Sequence, residues 1–156
     1  MRQARVVATD LSCDALTLAK ENAERHGVGD RVEFIRGDLL EPLLSHPMGS
    51  RLDYLVSNPP YIPDREWDDP EMMGTNVKGH EPESALRGGV DGLRFVRPLI
   101  ERGPERLLPG GMLLIEIASS TADEVLSMAK SNPALADARI AADTDGLPRM
   151  LCALRV

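Results

Sequence analysis

Ser57-Asn58-Pro59-Pro60 is the hardest stop in the chain, and it directly follows a strand-like run, Leu52-Asp53-Tyr54-Leu55-Val56. Proline has no N–H to give to a sheet ladder, so two in a row end the strand there. Two earlier strand-like runs also close on a polar residue. Ala4 to Asp10 is apolar in its middle and ends on an acid, and Arg31 to Ile35 runs into the turn Arg36-Gly37-Asp38. Between these two lies a helix pattern. Ser12 is the N-cap, Asp14 faces the helix dipole, Ala15, Leu16, Ala19 and Ala23 recur at helical spacing, and His26-Gly27 is the stop.

A short linker with Pro42 and Pro47 leads to the strand over 52–57. The stretch 62–92 carries Pro, Gly and acids with little periodicity, which marks a functional or disordered loop. A helix is expected over 93–108, kinked or delayed by Pro98. Pro109-Gly110-Gly111 then turns the chain into Met112–Ile117, the clearest buried strand. Ser119, Ser120 or Thr121 caps a helix to about Lys130, and strands near 138–142 and 149–155 finish the chain. This order predicts an α/β fold, mainly parallel, with an antiparallel edge made by the last pair.

At 156 residues, 42% hydrophobic and 28% charged, the chain suits a single soluble domain, taken as spanning 1–156. No apolar run approaches the length of a membrane span, and no basic-then-apolar leader follows Met1, so a cytoplasmic protein is expected. A net charge of −7 and 3% aromatics argue against a nucleic-acid clamp. Cys13 and Cys152 show no ligand spacing and are expected as buried free thiols. His26 ends a helix, His46 and His80 fall in loops, and none is assigned a catalytic or metal role. No metal is expected.

In open α/β sheets, ligands bind beyond the carboxyl ends of the strands. If the strands are parallel, Asp10, Asp38 and Asn58 converge on one rim. Asp10 can accept from both hydroxyls of a ribose, and Asp38 from an adenine amino group. The plainer reading makes Asp10 helix-entry chemistry and Gly37-Asp38 an ordinary turn. In Asn58-Pro59-Pro60-Tyr61, the Asn58 side-chain oxygen and the Pro59 carbonyl can both accept from one planar –NH2, and the Tyr61 ring can lie on its face. Such a nitrogen is a poor nucleophile because its lone pair is delocalised. Holding both N–H bonds in line with an electrophile supplies orientation in place of deprotonation. The plainer alternative is a proline-stiffened turn with a core tyrosine.

The runs "VVATDLSCDALTLAKENAERHG", "VEFIRGDLL", "LDYLVSNPPYIP", "HEPESALRGGVDGL" and "LLPGGMLLIEI" resemble the protein-(glutamine-N5) methyltransferases of peptide-chain release factors, the HemK family. "NPPY" alone is shared with nucleic-acid amino-group methyltransferases; the series from "NPPYIP" through "EPESAL" to "GVDGL" is far more specific. The resemblance implies a Rossmann-like S-adenosylmethionine-dependent methyltransferase fold and an enzyme that methylates the glutamine amide of the release factor's Gly-Gly-Gln loop. It implies that Asp10 binds the cofactor ribose, that Asp38 and Leu39 border the adenine, and that Asn58 lies beside the cofactor. It further implies that Asn58, Pro59, Pro60 and Tyr61 hold the substrate amide, with Asn58, Pro59 and Tyr61 as the catalytic set, and that Glu81 borders the pocket. The release factor is the expected partner, with no nucleic acid and no membrane. Alternatives are a ribosomal-protein glutamine methyltransferase, a nucleic-acid amino-group methyltransferase and an inactive remnant.

The family's glycine-rich D-x-G-x-G-x-G motif and its N-terminal substrate-recognition domain have no counterpart in these residues. The expectation is an N-terminally truncated, partial catalytic domain that binds S-adenosylmethionine weakly or not at all. Without the strand that precedes that motif, the strands ending at Asp10 and Asn58 must either keep unpaired inner edges or pair with each other.

Overall fold

A computed structural model describes residues 4–69 and 82–156. The chain divides into two compact units, Met1–Gly49 and Ser50–Val156. The first holds strand β1 (Val6–Asp10), helix α1 (Cys13–Arg25), strand β2 (Val32–Arg36) and the one-turn helix α2 (Glu41–Ser45). β1 and β2 pair in parallel, from Val6 opposite Val32 to Asp10 opposite Arg36. Helix α1 begins where its residues dictate. The Ser12 hydroxyl accepts the Ala15 N–H at 3.2 Å, Asp14 sits in the first turn, and His26 is the C-cap. Of its expected apolar positions Ala23 is buried and Leu16 and Ala19 are half-buried, whereas Ala15 faces solvent.

Two local readings change in this unit. The linker with Pro42 and Pro47 contains α2, because Pro42 near the start of a helix gives up an N–H that has no partner there. Cys13, in the first turn of α1, is exposed; only Cys152 is buried.

The second unit carries a four-stranded sheet in the order β3 (Leu52–Ser57), β4 (Leu107–Glu116), β6 (Pro148–Arg155), β5 (Leu135–Ala142). β3 and β4 are parallel; β6 runs antiparallel to both β4 and β5. The antiparallel edge therefore comes from the last two strands, but β6 inserts between β4 and β5. In β4, Leu113 and Ile115 are fully buried and alternate with half-buried Leu114 and Glu116. Helix α4 (Val96–Arg102) buries Val96, Leu99 and Ile100, and helix α5 (Ala122–Ser131) buries Ala122, Val125 and Ala129. Both sets follow the spacing of one helical face.

The helix starts at Val96, three residues later than expected, with Pro98 in its first turn, where a proline is tolerated. The helix instead ends at Arg102, and a 3-10 turn, Gly103–Arg106, with Pro104 near its start, leads to β4. Leu107 and Leu108, expected at the end of that helix, open the strand. Pro109-Gly110-Gly111 lies inside β4 as an irregularity: the pairing with β3 shifts between Leu52 and Tyr54. Thr121 occupies the N-cap of α5, yet its buried hydroxyl donates to the Ala118 carbonyl at 3.0 Å and caps nothing.

Among the described residues, β1 pairs only with β2 and β3 only with β4. Tyr54 and Val56, two residues apart on β3, are 63% and 65% exposed.

Candidate functional site

In the first unit, Asp10 is the last residue of β1, and Asp38 lies two residues beyond the end of β2. Because β1 and β2 are parallel, both acids stand at the carboxyl end of that sheet. Both are exposed. One Asp10 carboxylate oxygen accepts the Ser12 N–H at 2.7 Å, so this acid does perform the helix-entry role. Its second oxygen keeps both lone pairs for a ligand. The Asp38 carbonyl accepts from the Glu41 N–H, and Leu39 follows in a left-handed conformation, φ 44°. The Thr9 hydroxyl donates to the Leu39 carbonyl at 3.4 Å, tying this turn back to β1.

Asp10 thus offers an acceptor-only group at the strand end, and Asp38 is an exposed acid with the apolar Leu39 next to it in sequence. His46 lies in the same unit but is structural. It pairs with Glu33 at 3.0 Å, and its Nδ1 accepts the Met48 N–H.

In the second unit, Asn58 follows β3 directly and is exposed, and its side chain has no hydrogen bond to another described residue. Pro59 and Pro63 are buried, while Pro60 and Tyr61 are half-buried. The prolines therefore anchor the turn in the unit while Asn58 stays presented.

Tyr61 is held from two directions. Its hydroxyl donates to Glu116, the last residue of β4, at 2.9 Å. Burial pushes the Tyr61 phenol above its usual range, and donation to Glu116 pushes it further; Arg149 of β6 opposes both. The chain after Tyr61 meets the segment 82–93. Ile62 forms a parallel bridge with Arg87, with the Ile62 N–H bonded to the Leu86 carbonyl and the Gly88 N–H to the Ile62 carbonyl. Arg87 pairs with Asp64 at 2.6 Å and with Glu83 at 2.5 Å.

This packing requires small residues. A Cβ at Gly88 would stand 2.8 Å from the Tyr61 carbonyl carbon and Cα, and one at Gly92 2.6 Å from the Tyr61 carbonyl oxygen. Asp91 holds the same turn, accepting the Leu93 N–H at 2.9 Å and pairing with Arg97 at 3.1 Å.

Two segments separated in sequence, "NPPYIP" and "ESALRGGVDGL", thus fold onto each other. The stretch 62–92, unpatterned as sequence, contains the short helix α3 (Asp64–Trp67) and a 3-10 turn, Glu83–Ala85. Glu81 lies outside the described residues, as does His80. Sequence reasoning passed over Glu116, whose signal is an acid at the end of an otherwise apolar strand, and the Arg87–Asp64 pair, which has no local signature. Among the described residues no group of three His, Cys, Asp or Glu side chains is placed to hold a metal ion. Likewise among them, no helix is long and apolar enough to cross a membrane.

Residues 1–64 match the family model described as RMKL-like, methyltransferase domain. The release factor glutamine methyltransferase of Geobacter sulfurreducens is 42% identical over 148 residues, which cover 95% of this chain and 49% of that protein. The protein of the same name from Synechocystis sp. is 42% identical over 151 residues, 97% of this chain and 49% of its own. The chain thus spans about half the length of the curated relatives it matches.

Among solved structures, a methyltransferase from Pyrococcus furiosus superposes with a TM-score of 0.64 at 16% identity, over 97% of this chain and 62% of that one. TrmN from Thermus thermophilus gives 0.60 at 22%, over 97% and 36%. The fold is Rossmann-like and of the methyltransferase type.

Proposed function

Because the chain belongs by sequence with the release factor glutamine methyltransferases over 95% of its length, we propose that it carries the amide-binding and nucleoside-binding parts of an enzyme that methylates the side-chain nitrogen of a release-factor glutamine. The observation that carries this reading is the mutual packing of "NPPYIP" and "ESALRGGVDGL", the most family-specific stretches of the chain. A turn that only stopped β3 would not need a second segment bonded along its exit.

In this reading Asn58 Oδ1 and the Pro59 carbonyl accept the two N–H groups of the substrate amide. Pro60 keeps the turn stiff, and the Tyr61 ring covers the amide face. Asp10 accepts from the ribose hydroxyls of S-adenosylmethionine, and Asp38 and Leu39 border its adenine. When bound, that cofactor supplies an electrophilic sulfonium methyl. The contribution of Asn58 and Pro59 is orientation: they align a weakly nucleophilic nitrogen with the electrophile. As the N–C bond forms the amide becomes cationic, so its N–H proton passes to water without a strong base. Loss of the methyl from sulfur balances the new bond.

The test is transfer of tritiated methyl by the full protein to a purified release factor, to a ribosomal protein, to RNA and to duplex DNA. Label in the release factor is expected. The "NPPY" motif, shared with nucleic-acid amino-group methyltransferases, keeps a nucleic-acid amino group as the second reading. Label entering only nucleic acid would establish that reading and overturn the first, while label only in the ribosomal protein would move the substrate and keep the amide chemistry.

A further inference from the structure

Among the described residues, Glu116 is the carboxylate that touches the "NPPY" turn without a part in the amide chemistry proposed above. It ends β4, one residue past Ile115, which lies opposite the last residue of β3, and Met150 of β6 flanks it on the other side. The backbone of that position is therefore set by the sheet. Its side chain, half-buried, accepts the Tyr61 hydroxyl at 2.9 Å. At the other end of the same residue, Gly88 and Gly92 press on the Tyr61 main chain. A tyrosine hydroxyl lies on the long axis of its ring, so with the main chain held as well, the bond to Glu116 fixes the direction of that axis.

The charged groups facing this pair are Arg149, on β6, and Asp143, which takes the Arg149 guanidinium at 3.2 Å. The Arg149 carbonyl also accepts the Ile117 N–H at 3.0 Å, which holds the strand end that carries Glu116.

We propose that Glu116 is a positioning residue for methyl transfer: by holding the Tyr61 hydroxyl it fixes the place of the ring against which a planar carboxamide is seated. This inference rests on the reading of "NPPY" as the amide site. It makes Glu116 act through Tyr61 and not through the substrate. Removing either end of the hydrogen bond then has the same consequence, and removing both adds nothing further. Misplacing a group that orients a reactant by about an ångström costs on the order of 100-fold in rate. A ring that keeps its backbone anchor loses less, about 10-fold in kcat/KM.

The experiment is a double-mutant cycle in the full protein with Glu116→Ala, Tyr61→Phe and the pair, assayed for methyl transfer to a release factor. Each single change is expected to lower kcat/KM about 10-fold, mostly through KM, and the double change by the same factor. Glu116→Gln, which keeps an acceptor oxygen, is expected to restore most of the loss. Multiplicative losses in the double variant, or no rescue by Gln, would overturn the proposal.

A second readout needs no activity. With Tyr54→Phe, Tyr61 is the sole tyrosine of the chain, and its phenolate absorbance can be titrated. Glu116→Ala is expected to move its midpoint down toward the usual phenol value. An unmoved midpoint removes the contact and the proposal with it. If the unsubstituted protein methylates no release factor, the function proposed above fails, and the titration still decides whether Glu116 holds Tyr61.

Discussion

Gly92→Ala adds one methyl group at the point where the chain after α3 closes on Tyr61. Two costs follow from the geometry. Gly92 has φ +76°, a conformation that costs an L-residue about 1–2 kcal/mol. The new Cβ would also stand 2.6 Å from the Tyr61 carbonyl oxygen and 2.9 Å from Pro63 Cγ. Neither neighbour can give way easily, because Pro63 is fully buried and Tyr61 is tied at its hydroxyl. Forcing a methyl into such a site costs about 1–3 kcal/mol more.

Gly110 supplies the control. Its φ of +77° is nearly the same, but no heavy atom lies within 4 Å of a Cβ built there. Gly110→Ala should therefore lose only the backbone part, about 1–2 kcal/mol. Urea unfolding, followed by the fluorescence of Trp67, the only tryptophan, reads both variants from within the second unit. The expected result is a lower midpoint for Gly92→Ala than for Gly110→Ala, by the equivalent of about 1–3 kcal/mol, with the slope unchanged. Equal midpoints would refute the claim that the "GGVDG" turn is built around the Tyr61 main chain.

Asn58→Ala should reduce methyl transfer by about 100- to 1,000-fold, the scale of losing one preorganised polar contact in a site. Because Asn58 is exposed, its unfolding midpoint should stay within error of the parent; a large midpoint shift would assign Asn58 to the fold instead. Asp10→Asn keeps an oxygen for the Ser12 N–H but removes the charge, so calorimetric titration of the full protein should show S-adenosylmethionine affinity falling by about 10- to 100-fold; unaltered affinity would leave Asp10 with helix entry alone. Asp143 is held below the usual carboxylate range, first by the Leu147 N–H and then by the Arg149 guanidinium. A lowered folded-state value means that its stabilisation is complete above the ordinary aspartate pKa and fades as the pH falls below about 4. The midpoint difference between the parent and Asp143→Asn should accordingly shrink between pH 6 and pH 2.5, and a constant difference would rule out this linkage.

Much of the fold was legible because local chemistry and tertiary packing agree. The third strand falls at Leu52–Ser57, where the apolar run and the two prolines put it, and α1 starts at the hydroxyl of Ser12. Where they disagree, packing decided. Leu107 and Leu108 carry a helical pattern that continues from Val96, yet they lie in a strand, because Gly103-Pro104 breaks the helix and β3 offers Leu107 a partner. Thr121 looks like a cap, but burial makes its hydroxyl seek the nearest carbonyl.

The candidate site divides the same way. Asp10, Asp38 and Asn58 could be read from the sequence because a polar residue that ends a strand needs no distant partner to be noticed. The ends of β1 and β2 lie side by side because those strands are parallel, a fact of pairing and not of composition. What only the tertiary structure decided is how Tyr61 is held: by an acid 55 residues away in sequence and by glycines of a segment whose pattern predicts nothing. Periodicity reports which face of an element is buried, whereas a hydrogen bond between the ends of two strands and the absence of a Cβ at a close approach exist only once the chain has folded.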